Sequence, residues 1–404
     1  METVRRRAPR IVELANRIEA DIRHRRLQPG DAYLTTAETA RMLHSCGTKA
    51  NEALRMLVKR GVIERKQRRG TFVAQPMAPH QRPPLRRVHV LVHKQYLQTE
   101  GVLVDGALLG LQSALPGVQL VFETIPEIDE ADYVNHLISQ SLRGDGVDGF
   151  VLFRASLLAQ RTISASGLPA VVYGALYPSI RGLSSVCWDQ GMVGRMLSRY
   201  LLDQGCGRLA MITRQFVTTG DHQTLEGMRE TLTSAGRGVD ALTMRCLPAD
   251  DEAIFDASCQ LIELLLTGVE APQNGESRSI VGQTSSLLKS TRDSKRSRTA
   301  LGPQKHSSSA SGRSGIGLLC RTVLLADGAA RAAKSLGLKT PRDVTIAVGS
   351  YYRRANDPPR YPFARLTLSA EEQGTHLGRL LGLQARGEMS ETEHEIIPVM
   401  LEVP

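Results

Sequence analysis

Hydrophobic residues recur at two different spacings along the chain, one in the first 75 residues and another after residue 87. Near the N terminus the apolar positions follow one helix face: Ile11, Leu14, Ala15, Ile18, Ile22. This spacing predicts an amphipathic helix over about residues 9–26, ended by Pro29-Gly30-Asp31. Thr35 and Glu38 have the spacing of a capping box, so a short second helix is predicted from there to about Leu43.

A third helix and a basic hairpin complete this N-terminal part. The helix has one apolar face: Ala50, Ala53, Leu54, Leu57, Val58. Gly61 is placed to end it, and two short strands, 62–65 and 71–74, flank the basic segment 66–70. Helix, short helix, helix and hairpin in this order predict a winged helix-turn-helix, whose third helix enters the major groove of DNA.

After residue 87, short apolar segments alternate with segments of helical periodicity. The predicted strands are 88–92, 118–122, 149–153, 170–173, 185–188, 208–213, 242–246 and 316–320. Helices are predicted from Asp189 onward, over 224–232 and over 254–266, the first with an apolar stripe that includes Met192 and Val193. This alternation predicts an α/β fold with parallel sheets, which bind ligands at the carboxyl ends of their strands.

Two segments interrupt these patterns. Residues 76–87 hold four Pro without apolar periodicity, which predicts an extended linker. Residues 271–314 contain 12 Ser and no aromatic residue, so we expect this insert to be disordered. Three interpretations of the insert stay open: a tolerated surface insertion, a basic arm that adds nonspecific DNA affinity, or a corrupted stretch of coding sequence.

The charge of the chain is unevenly distributed. The net charge is +10, but residues 1–87 carry 20 Lys and Arg against 8 Asp and Glu, a balance of +12. The insert adds a balance of +6, and the rest of the chain has a balance of −8. A small basic N-terminal part indicates an anionic partner such as nucleic acid, although a solvated basic surface has the same composition.

Several classes of protein are disfavoured. No apolar run is long enough for a transmembrane helix, and the basic N terminus lacks the apolar core of a secretory signal. The six Cys form no CxxC pair, which favours a reducing cytoplasm over a disulfide framework or a zinc ribbon. No P-loop, HExxH helix or GxSxG elbow occurs, and no two His stand four residues apart on a predicted helix. We therefore expect no enzyme activity, no metal and no cofactor.

Three segments of residues 10–75 resemble the GntR-type DNA-binding domain: LQPGD, NEALRMLVKRGVIERK and RRGTFVA. The resemblance implies that this part of the chain binds double-stranded DNA. It is incomplete, because Ala37, Gly47 and Asn51 stand where such domains commonly carry Arg, and Arg68 stands at the hairpin Gly.

The predicted DNA contacts lie on the third helix and the hairpin. Asn51 matches the N6/N7 edge of adenine, and the basic side chains match phosphates. The full set is Thr35, Thr48, Lys49, Asn51, Arg55, Arg65, Lys66, Arg68, Arg69 and Gly70. The alternative is that these residues are a solvated surface on a degenerate module.

Five segments after residue 87 resemble the ligand-binding region of LacI/GalR-type regulators, which is similar to periplasmic sugar-binding proteins. They are GVDGFVLF, SSVCWDQGMVGRMLSRYLLDQGCGRLAMI, LEGMRETL, ADGAARAAKSLGLKTPRDVTIAVGS and LTLSAEEQGTHLGRLL. The resemblance implies two Rossmann-like lobes with a ligand cleft between them. A GntR-type head on such a body resembles the arabinose-repressor-like branch of GntR regulators.

Two of the residues with which that family binds its ligand are replaced in this chain. Thr224 stands where the family usually has an Arg that holds sugar hydroxyls, and Val323 stands at its Asp. Six side chains remain at predicted strand ends and are candidate effector residues: His93, Arg154, Trp188, Asp189, Arg214, Tyr351. Thr322, which stands at the family's Asn or Ser, is the seventh candidate. Trp188 either stacks on a sugar ring or belongs to the core.

These features predict a cytoplasmic transcriptional regulator, in the form of a repressor, with no membrane association. The expected domains are a winged helix-turn-helix at 1–75, a linker at 76–87 and a two-lobed effector-binding and dimerisation domain at 88–404. A homodimer would bind a pseudo-palindromic operator, and a small, sugar-like effector would control it. One alternative is a non-responsive DNA-binding scaffold whose body serves dimerisation only. Another is a ligand sensor whose head has lost specific DNA recognition.

Overall fold

The computed structural model describes residues 11–75, 83–94, 105–126, 128–142, 146–215, 217–247, 250–267, 315–349, 359–389 and 391–404. The predicted insert 271–314, most of the predicted linker and the candidate Tyr351 lie outside these residues.

The N-terminal head is a winged helix-turn-helix, as predicted. Its elements are α1 (Ile11–His24), β1 (Ala32–Tyr33), α2 (Thr36–Met42), α3 (Gly47–Lys59), β2 (Ile63–Lys66) and β3 (Gly70–Val73). The three strands form an antiparallel sheet in the order β1-β3-β2. Strand β1 was not predicted, because two residues are too few to show a periodicity.

Local interactions fix the ends of the head helices. Both halves of the Thr35–Glu38 capping box form, which satisfies N–H groups at the start of α2. Gly61 has φ +70°, the left-handed conformation that glycine adopts easily, and it follows the end of α3. The predicted apolar face of α3 is buried apart from Val58, which is 38% exposed.

The remaining elements form two lobes. From β4 to β8 they are β4 (Leu85–His93), α4 (Asp105–Ala114), β5 (Gln119–Ile125), α5 (Glu130–Ser141), β6 (Val147–Phe153), α6 (Leu157–Ser166), β7 (Ala170–Tyr173) and β8 (Ser184–Trp188). The next group is α7 (Gln190–Asp203), β9 (Cys206–Arg214), α8 (Thr219–Ser234), β10 (Leu242–Leu247), α9 (Asp251–Thr267), β11 (Gly315–Cys320), α10 (Val323–Ser335) and β12 (Val344–Val348). The last are β13 (Phe363–Leu366), α11 (Ala370–Arg386), β14 (His394–Ile397) and β15 (Val399–Glu402), and a short 3₁₀ helix, Val239–Ala241, precedes β10.

Each lobe is built on a six-stranded sheet. Lobe 1 has the strand order β14-β8-β7-β6-β4-β5, and all its strands are parallel. Lobe 2 has the order β10-β9-β11-β12-β13-β15, in which only β15 is antiparallel to its neighbour. The predicted α/β fold with two Rossmann-like lobes is confirmed. The carboxyl ends of the parallel strands are therefore the expected ligand-binding edges.

The chain passes between the lobes at neighbouring points. It leaves lobe 1 after β8 through Asp189, crosses back to lobe 1 between β13 and β14, and enters lobe 2 again from β14 to β15 through Pro398. The Asp189 N–H donates to the carbonyl of Ile397 at 3.1 Å, and the Thr367 N–H donates to the carbonyl of Pro398 at 3.1 Å. These bonds hold the connecting segments together, which makes them a natural hinge for lobe movement.

Helices α7 and α8 pack with their backbones in contact. A Cβ added to Gly194 would overlap the carbonyl of Thr224, and one added to Gly227 would overlap the carbonyl of Gly191. The close approach fixes the start of α8 beside the start of α7. The buried face of α7 differs from the predicted apolar stripe. Val193 is fully buried, whereas Met192 is 41% exposed.

No helix in the described part of the chain is long and apolar enough to span a membrane. Within the same residues, no group of three His, Cys, Asp or Glu side chains has the arrangement of a metal site.

Candidate DNA interface and effector cleft

Helix α3 presents a polar face to solvent. Thr48 and Arg55 are exposed, and Asn51 between them is half-buried. The Asn51 Oδ1 atom accepts a hydrogen bond from Arg65 Nη1 at 2.7 Å, and Arg65 Nη2 lies 3.2 Å from Thr36 Oγ1 on α2. Arg65 thereby fixes the orientation of the Asn51 amide, so the wing strand positions a side chain of the recognition helix.

The wing provides an exposed basic edge. Lys66 pairs with Glu64 at 2.7 Å, and its ammonium lies 5.3 Å from the centre of the Phe72 ring. Arg68 has φ +61°, so it occupies the left-handed position where GntR-type hairpins carry Gly. Eight of the predicted DNA-contacting residues are exposed: Thr35, Thr48, Arg55, Arg65, Lys66, Arg68, Arg69, Gly70. An exposed basic edge beside a helix is the arrangement that places cations on phosphates.

Lys49 differs from the other predicted contacts, because it lies on the side of α3 that faces lobe 1. It lines a surface recess together with Ile11 and Val12 of α1 and with Asp132 and His136 of α5. The sequence alone does not reveal this, since Lys49 and the lobe 1 residues of the recess are far apart along the chain.

The C-terminal end of α3 is anchored to lobe 1. Lys59 Nζ donates to the carbonyls of Ser141 and Gly146, the latter at 2.9 Å. Arg60 Nε donates to the Ser166 carbonyl at 2.6 Å, and Arg60 Nη2 to the Ala165 carbonyl at 2.5 Å. Both cations thus bind carbonyls at or just beyond the C-terminal ends of α5 and α6, where the helix dipole favours positive charge.

The candidate effector cleft lies between the lobes, at the carboxyl ends of their strands. The residues that line it come from both lobes: Arg154, Ala155, Gly174, Ala175, Tyr177, Trp188, Gln190, Arg214, Thr218, Gly220, Arg321. Three of them are Arg, and none is Asp or Glu. This position agrees with the rule that open α/β sheets bind ligands at the carboxyl ends of their strands.

A buried ion pair forms the lobe 2 wall of the cleft. Arg321 Nε donates to Asp221 Oδ1 at 2.7 Å, and the two side chains are 2% and 0% exposed. Asp221 also accepts hydrogen bonds from the Thr213 hydroxyl at 3.1 Å and from the Thr218 N–H at 2.8 Å. Arg321 Nη1 donates to Thr224 Oγ1 at 3.1 Å. The position where the resembling family has its Arg is therefore contacted by an Arg from another element.

The electrostatics of the pair follow from its surroundings. Burial opposes the ionisation of Asp221, but the charges of Arg321 and Arg214 and the hydrogen bonds from Thr218 outweigh it. Together they hold the pKa of Asp221 well below its usual range. Asp221 is therefore ionised at neutral pH and fixes the Arg321 guanidinium against the cleft.

The lobe 1 wall combines a cation with aromatic rings. The Arg154 guanidinium carbon lies 5.2 Å from the centre of the Trp188 ring, a cation–π distance. Arg154 has φ +45°, an uncommon conformation for a residue other than glycine. Trp188 is 3% exposed and meets Tyr173 edge-on at 6.0 Å between ring centres. Trp188 is thus both a core residue and part of the cleft wall.

The cleft contains three of the seven predicted effector residues, Arg154, Trp188 and Arg214. Asp189 and Thr322 lie just behind the lining, where their side chains accept the N–H groups of Met192 and Leu325 at helix starts. His93 ends β4 and is not part of the lining.

Sequence reasoning missed three large polar side chains of the lining, Tyr177, Gln190 and Arg321, and it missed Asp221, which binds Arg321 from behind. Arg321 follows directly after β11, so the strand-end rule that selected six of the other candidates points to Arg321 as well. The Thr218-x-x-Asp221 capping box was a second available signal. Tyr177 and Gln190 carry no distinctive local pattern.

Comparison with protein-family models identifies the head. Residues 11–73 match the model described as "Bacterial regulatory proteins, gntR family". The chain therefore carries a gntR-family DNA-binding domain. No curated protein matches the sequence of the chain.

Solved structures similar to this chain share its two-lobed fold. The transcriptional regulator CelR in complex with cellobiose is 19% identical, with a TM-score of 0.56 over 80% of this chain and 85% of that one. A probable maltose operon repressor, MalR, from Staphylococcus aureus is 15% identical, with a TM-score of 0.56 over 80% and 97% of the two chains. A LacI family regulator from Enterococcus faecium with bound ribose is 15% identical, with a TM-score of 0.52 over 78% and 97%. At these identities the similarity establishes the fold.

Proposed function

We propose that this chain is a DNA-binding transcriptional regulator, a cytoplasmic repressor, whose operator affinity is controlled by a small effector bound between the two lobes. It is not an enzyme. The observation that carries the proposal is the path from the cleft to the DNA-binding domain. Helix α6 begins at the cleft, beside Arg154 and Ala155, and its last turn holds Arg60 at the end of the recognition helix.

The DNA part of the proposal rests on the gntR-family domain and its surface. The match covers 11–73, and the polar face of α3 and the basic wing are exposed. We infer that α3 enters the major groove, that Asn51 reads a base and that the wing binds phosphates. The assignment to the arabinose-repressor-like branch stays a prediction.

The effector part rests on the position and chemistry of the cleft. Structures of the same fold hold cellobiose and ribose, as their descriptions say. Guanidinium, amide and hydroxyl groups of Arg214, Gln190 and Thr218 line the cleft here beside the Trp188 ring. Polar donors next to an aromatic face suit a hydroxylated ligand, so we propose a sugar or a sugar derivative as the effector.

Effector control requires that the ligand bind two lobe arrangements with different affinity. Closure about the Asp189–Ile397 connection would move α6 relative to lobe 2, and Lys59 and Arg60 would transmit this movement to α3. In a homodimer, which we propose from the symmetry of helix-turn-helix operators, such a movement changes the spacing of the two heads. Analytical ultracentrifugation of the full chain tests the dimer.

A gel shift tests the central proposal. The full chain is expected to bind a fragment of its own promoter region, with an affinity that falls as salt rises, and an effector is expected to change that affinity. Absence of salt-sensitive binding to this fragment would overturn the DNA part. DNA binding that no metabolite changes would favour the alternative, a non-responsive scaffold. The hydrogen bonds that Arg321 donates to Asp221 and Thr224 also favour this alternative, because they occupy part of its guanidinium.

The variant Arg60→Gln is expected to uncouple the head from lobe 1. It removes the guanidinium that binds the Ser166 and Ala165 carbonyls and, within the head, Asn16 and Glu19 of α1, but it leaves the exposed face of α3 intact. We expect operator affinity without effector to stay within about threefold of wild type, while the effector-induced change, typically ~5–150-fold in allosteric proteins, is largely lost. Fluorescence anisotropy with labelled operator, with and without effector, measures both quantities.

Arg25→Gln is the matched control for Arg60→Gln. Arg25 follows α1 in the same head, pairs with Asp21 at 2.9 Å, and its side chain is 42% exposed. It should change neither operator affinity nor effector response. An Arg60→Gln protein that responds to effector as strongly as the control would contradict the proposed path through α6.

A further inference from the structure

A group of ionisable side chains lies on the face of the lobe 1 sheet that α5 covers. Arg87 and His89 belong to β4, Glu123 to β5 and Asp148 to β6. Strand β4 lies between β5 and β6, and the register places Arg87 level with Asp148 and Leu91 level with Glu123. His89 stands between these two positions, so each neighbouring strand places one carboxylate near its ring.

The His89 ring is held between these two carboxylates. His89 is 1% exposed, and its ring is stacked on that of Phe150 at 5.2 Å between centres. Its Nδ1 atom lies 3.3 Å from Glu123 Oε1, and its Nε2 atom lies 3.7 Å from Asp148 Oδ2. Among the described residues, the buried Nε2 atom has no hydrogen-bond partner. The imidazole therefore bonds one carboxylate and faces a second one.

The protonation state of His89 decides how many of the two carboxylates it can serve. A neutral imidazole has one N–H donor, and its other nitrogen is an acceptor. Between two carboxylates that bare nitrogen faces another acceptor, whereas the doubly protonated ring has one donor for each carboxylate. The site is therefore arranged to take up a proton, and histidine is the side chain that commonly does so between pH 5 and 8.

The two carboxylates have further partners around the ring. Burial opposes the ionisation of Asp148, but His89, Arg87 and the charge of Lys59 outweigh it and hold the pKa of Asp148 below its usual value. Glu123 Oε2 accepts a hydrogen bond from the Tyr133 hydroxyl of α5 at 2.7 Å. Burial and this hydrogen bond raise the pKa of Tyr133 to about 12, so Tyr133 stays a donor at neutral pH.

Lys59 connects this cluster to the recognition helix. Its Nζ atom donates to the carbonyls of Ser141 and Gly146, and Gly146 directly precedes β6. Its charge also acts on Asp148, two residues further along the chain. Lys59 and His89 thus act on the same carboxylate, one from the head and the other from within lobe 1.

The electrostatics give the direction of the coupling. A cation near an imidazole disfavours its protonation. The Lys59 charge lies near Asp148 while α3 is anchored on lobe 1, and it moves away when the anchor is released. The released state therefore binds the proton at His89 more tightly, and by linkage a proton at His89 favours release. Arg87 belongs to lobe 1, so its charge acts in both states.

We propose that protonation of His89 weakens the anchor of the recognition helix on lobe 1, so that the head is held more firmly at about pH 8 than at about pH 6. This inference deepens the proposed function, because Lys59 is part of the path from the lobes to the head. The ionisable groups that face His89 come from four elements besides its own strand: Glu123 of β5, Asp148 of β6, Tyr133 of α5 and Lys59 of α3, with Arg87 on β4 itself.

An NMR titration of the full chain tests the linkage. The ring signals of His89 are identified by their absence from His89→Gln and by their contact with the Phe150 ring, and they are followed from pH 5 to 9 in wild type and in Lys59→Met. Without the Lys59 charge, the proton affinity of His89 is expected to rise at least about threefold, which moves the midpoint of its titration to higher pH by about 0.5.

Lys66→Met is the matched control for Lys59→Met. It removes a cation from the same head, but Lys66 lies on the wing, pairs with Glu64 and is 49% exposed. It should leave the titration of His89 equal to that of wild type. Circular dichroism verifies that each variant is folded. Since the Phe150 contact also identifies the signals, the titration decides even where His89→Gln is unstable.

Hydrogen exchange, followed by mass spectrometry, measures the anchor itself. Peptides that cover the C-terminal end of α3 are compared between wild type and His89→Gln at the same pH, so the intrinsic exchange rate cancels. The two are expected to exchange alike at pH 8, whereas at pH 6 wild type should exchange at least about threefold faster. His222→Gln is the control, because His222 is an exposed residue of α8 in lobe 2, and it should behave as wild type at both pH values.

The outcomes separate this inference from the proposed function. The proposal is overturned if His89 does not titrate between pH 5 and 9, if Lys59→Met moves its titration no more than Lys66→Met does, or if the exchange ratio of wild type to His89→Gln is the same at pH 6 and pH 8. The proposed function then stands with an anchor that is insensitive to protons, because neither measurement uses DNA or an effector. A failed gel shift, in turn, would leave both measurements unchanged.

Discussion

Replacing Asp221 with Ala is expected to lower the free energy of unfolding by about 3–5 kcal/mol, the usual cost of removing one partner of a buried ion pair. Arg321 is 2% exposed, and removal of Asp221 takes away the buried carboxylate with which it pairs. The variant also removes the acceptor of the Thr213 hydroxyl and of the Thr218 N–H. Urea unfolding measures the effect, followed by circular dichroism and by the fluorescence of Trp188, the sole Trp of the chain.

Two further variants show whether the cost arises from the buried charge. Glu226→Ala breaks the exposed Glu226–Arg229 pair on the same helix, α8, and should leave the unfolding midpoint unchanged within error. The double variant Asp221→Leu/Arg321→Met removes both charges and should recover most of the lost stability, because no unpaired ion is left in the interior. If Asp221→Ala costs no more than Glu226→Ala, the pair does not stabilise lobe 2.

The Asp221–Arg321 ion pair also predicts that the folded state loses stability at acid pH. The folded pKa of Asp221 lies below its ordinary value, despite its burial, because Arg321 and Arg214 favour the charged form. The stabilisation is therefore complete at neutral pH. It decreases as pH falls below the ordinary Asp pKa of about 4, where the unfolded chain takes up a proton before the folded chain does. Asp221→Ala lacks this component, so its stability should fall less steeply than that of wild type as the pH falls from 5 to 3.

The sequence was informative wherever structure depends on neighbours in the chain. Helical spacing predicted α1 and α3, and the Thr35–Glu38 spacing predicted the start of α2, because caps and amphipathic faces are local properties. Apolar segments predicted β4 to β11 for the same reason. Strands β12 to β15 were not predicted: β12 is a buried apolar segment that the same rule should have found, whereas only one of the eight residues of β14 and β15 is buried.

The cleft depends on contacts that no local pattern contains. Arg321 and Asp221 are 100 positions apart, and only the fold brings them together. Thr322 was selected because it stands at a family position, and Arg321 next to it was passed over, although neighbouring side chains at a strand end point to opposite faces. In the sequence, Lys59 and Arg60 cannot be told from ordinary solvated surface charges. Their binding to the ends of α5 and α6 is visible only in three dimensions.

The second prediction with a large expected effect concerns operator affinity. Asn51→Ala is expected to weaken binding to the operator by about 1–3 kcal/mol, or roughly 5–150-fold, at one base position of each half-site. The amide of Asn51 is oriented by Arg65 at 2.7 Å, so it is prepared for a two-bond contact with adenine. Fluorescence anisotropy measures this with an operator selected from random DNA by the wild-type chain and with its single-base variants. Binding to unrelated DNA should hardly change.

A wing variant provides the matched contrast. Lys66→Ala/Arg68→Ala/Arg69→Ala removes three exposed cations but no base-reading side chain. If each cation contacts one phosphate, the slope of log affinity against log salt should decrease by about 2.7 in each head, at about 0.9 per phosphate. Its preference among single-base operator variants should stay that of wild type. Asn51→Ala should show the opposite behaviour, with altered preference and an unchanged slope.

The two variants together decide between a specific and a degenerate head. A specific head requires that the two effects separate, because base contacts carry sequence information and phosphate contacts carry salt dependence. Should Asn51→Ala weaken binding to every sequence equally, Asn51 would act only by holding Arg65, and Arg65→Ala should then reproduce its effect. If Asn51→Ala changes no affinity while the wing variant abolishes binding, the head binds DNA without reading it. The chain would then be a ligand sensor that has lost its operator, with Ala37 and Gly47 at two positions where GntR-type DNA-binding domains commonly carry Arg.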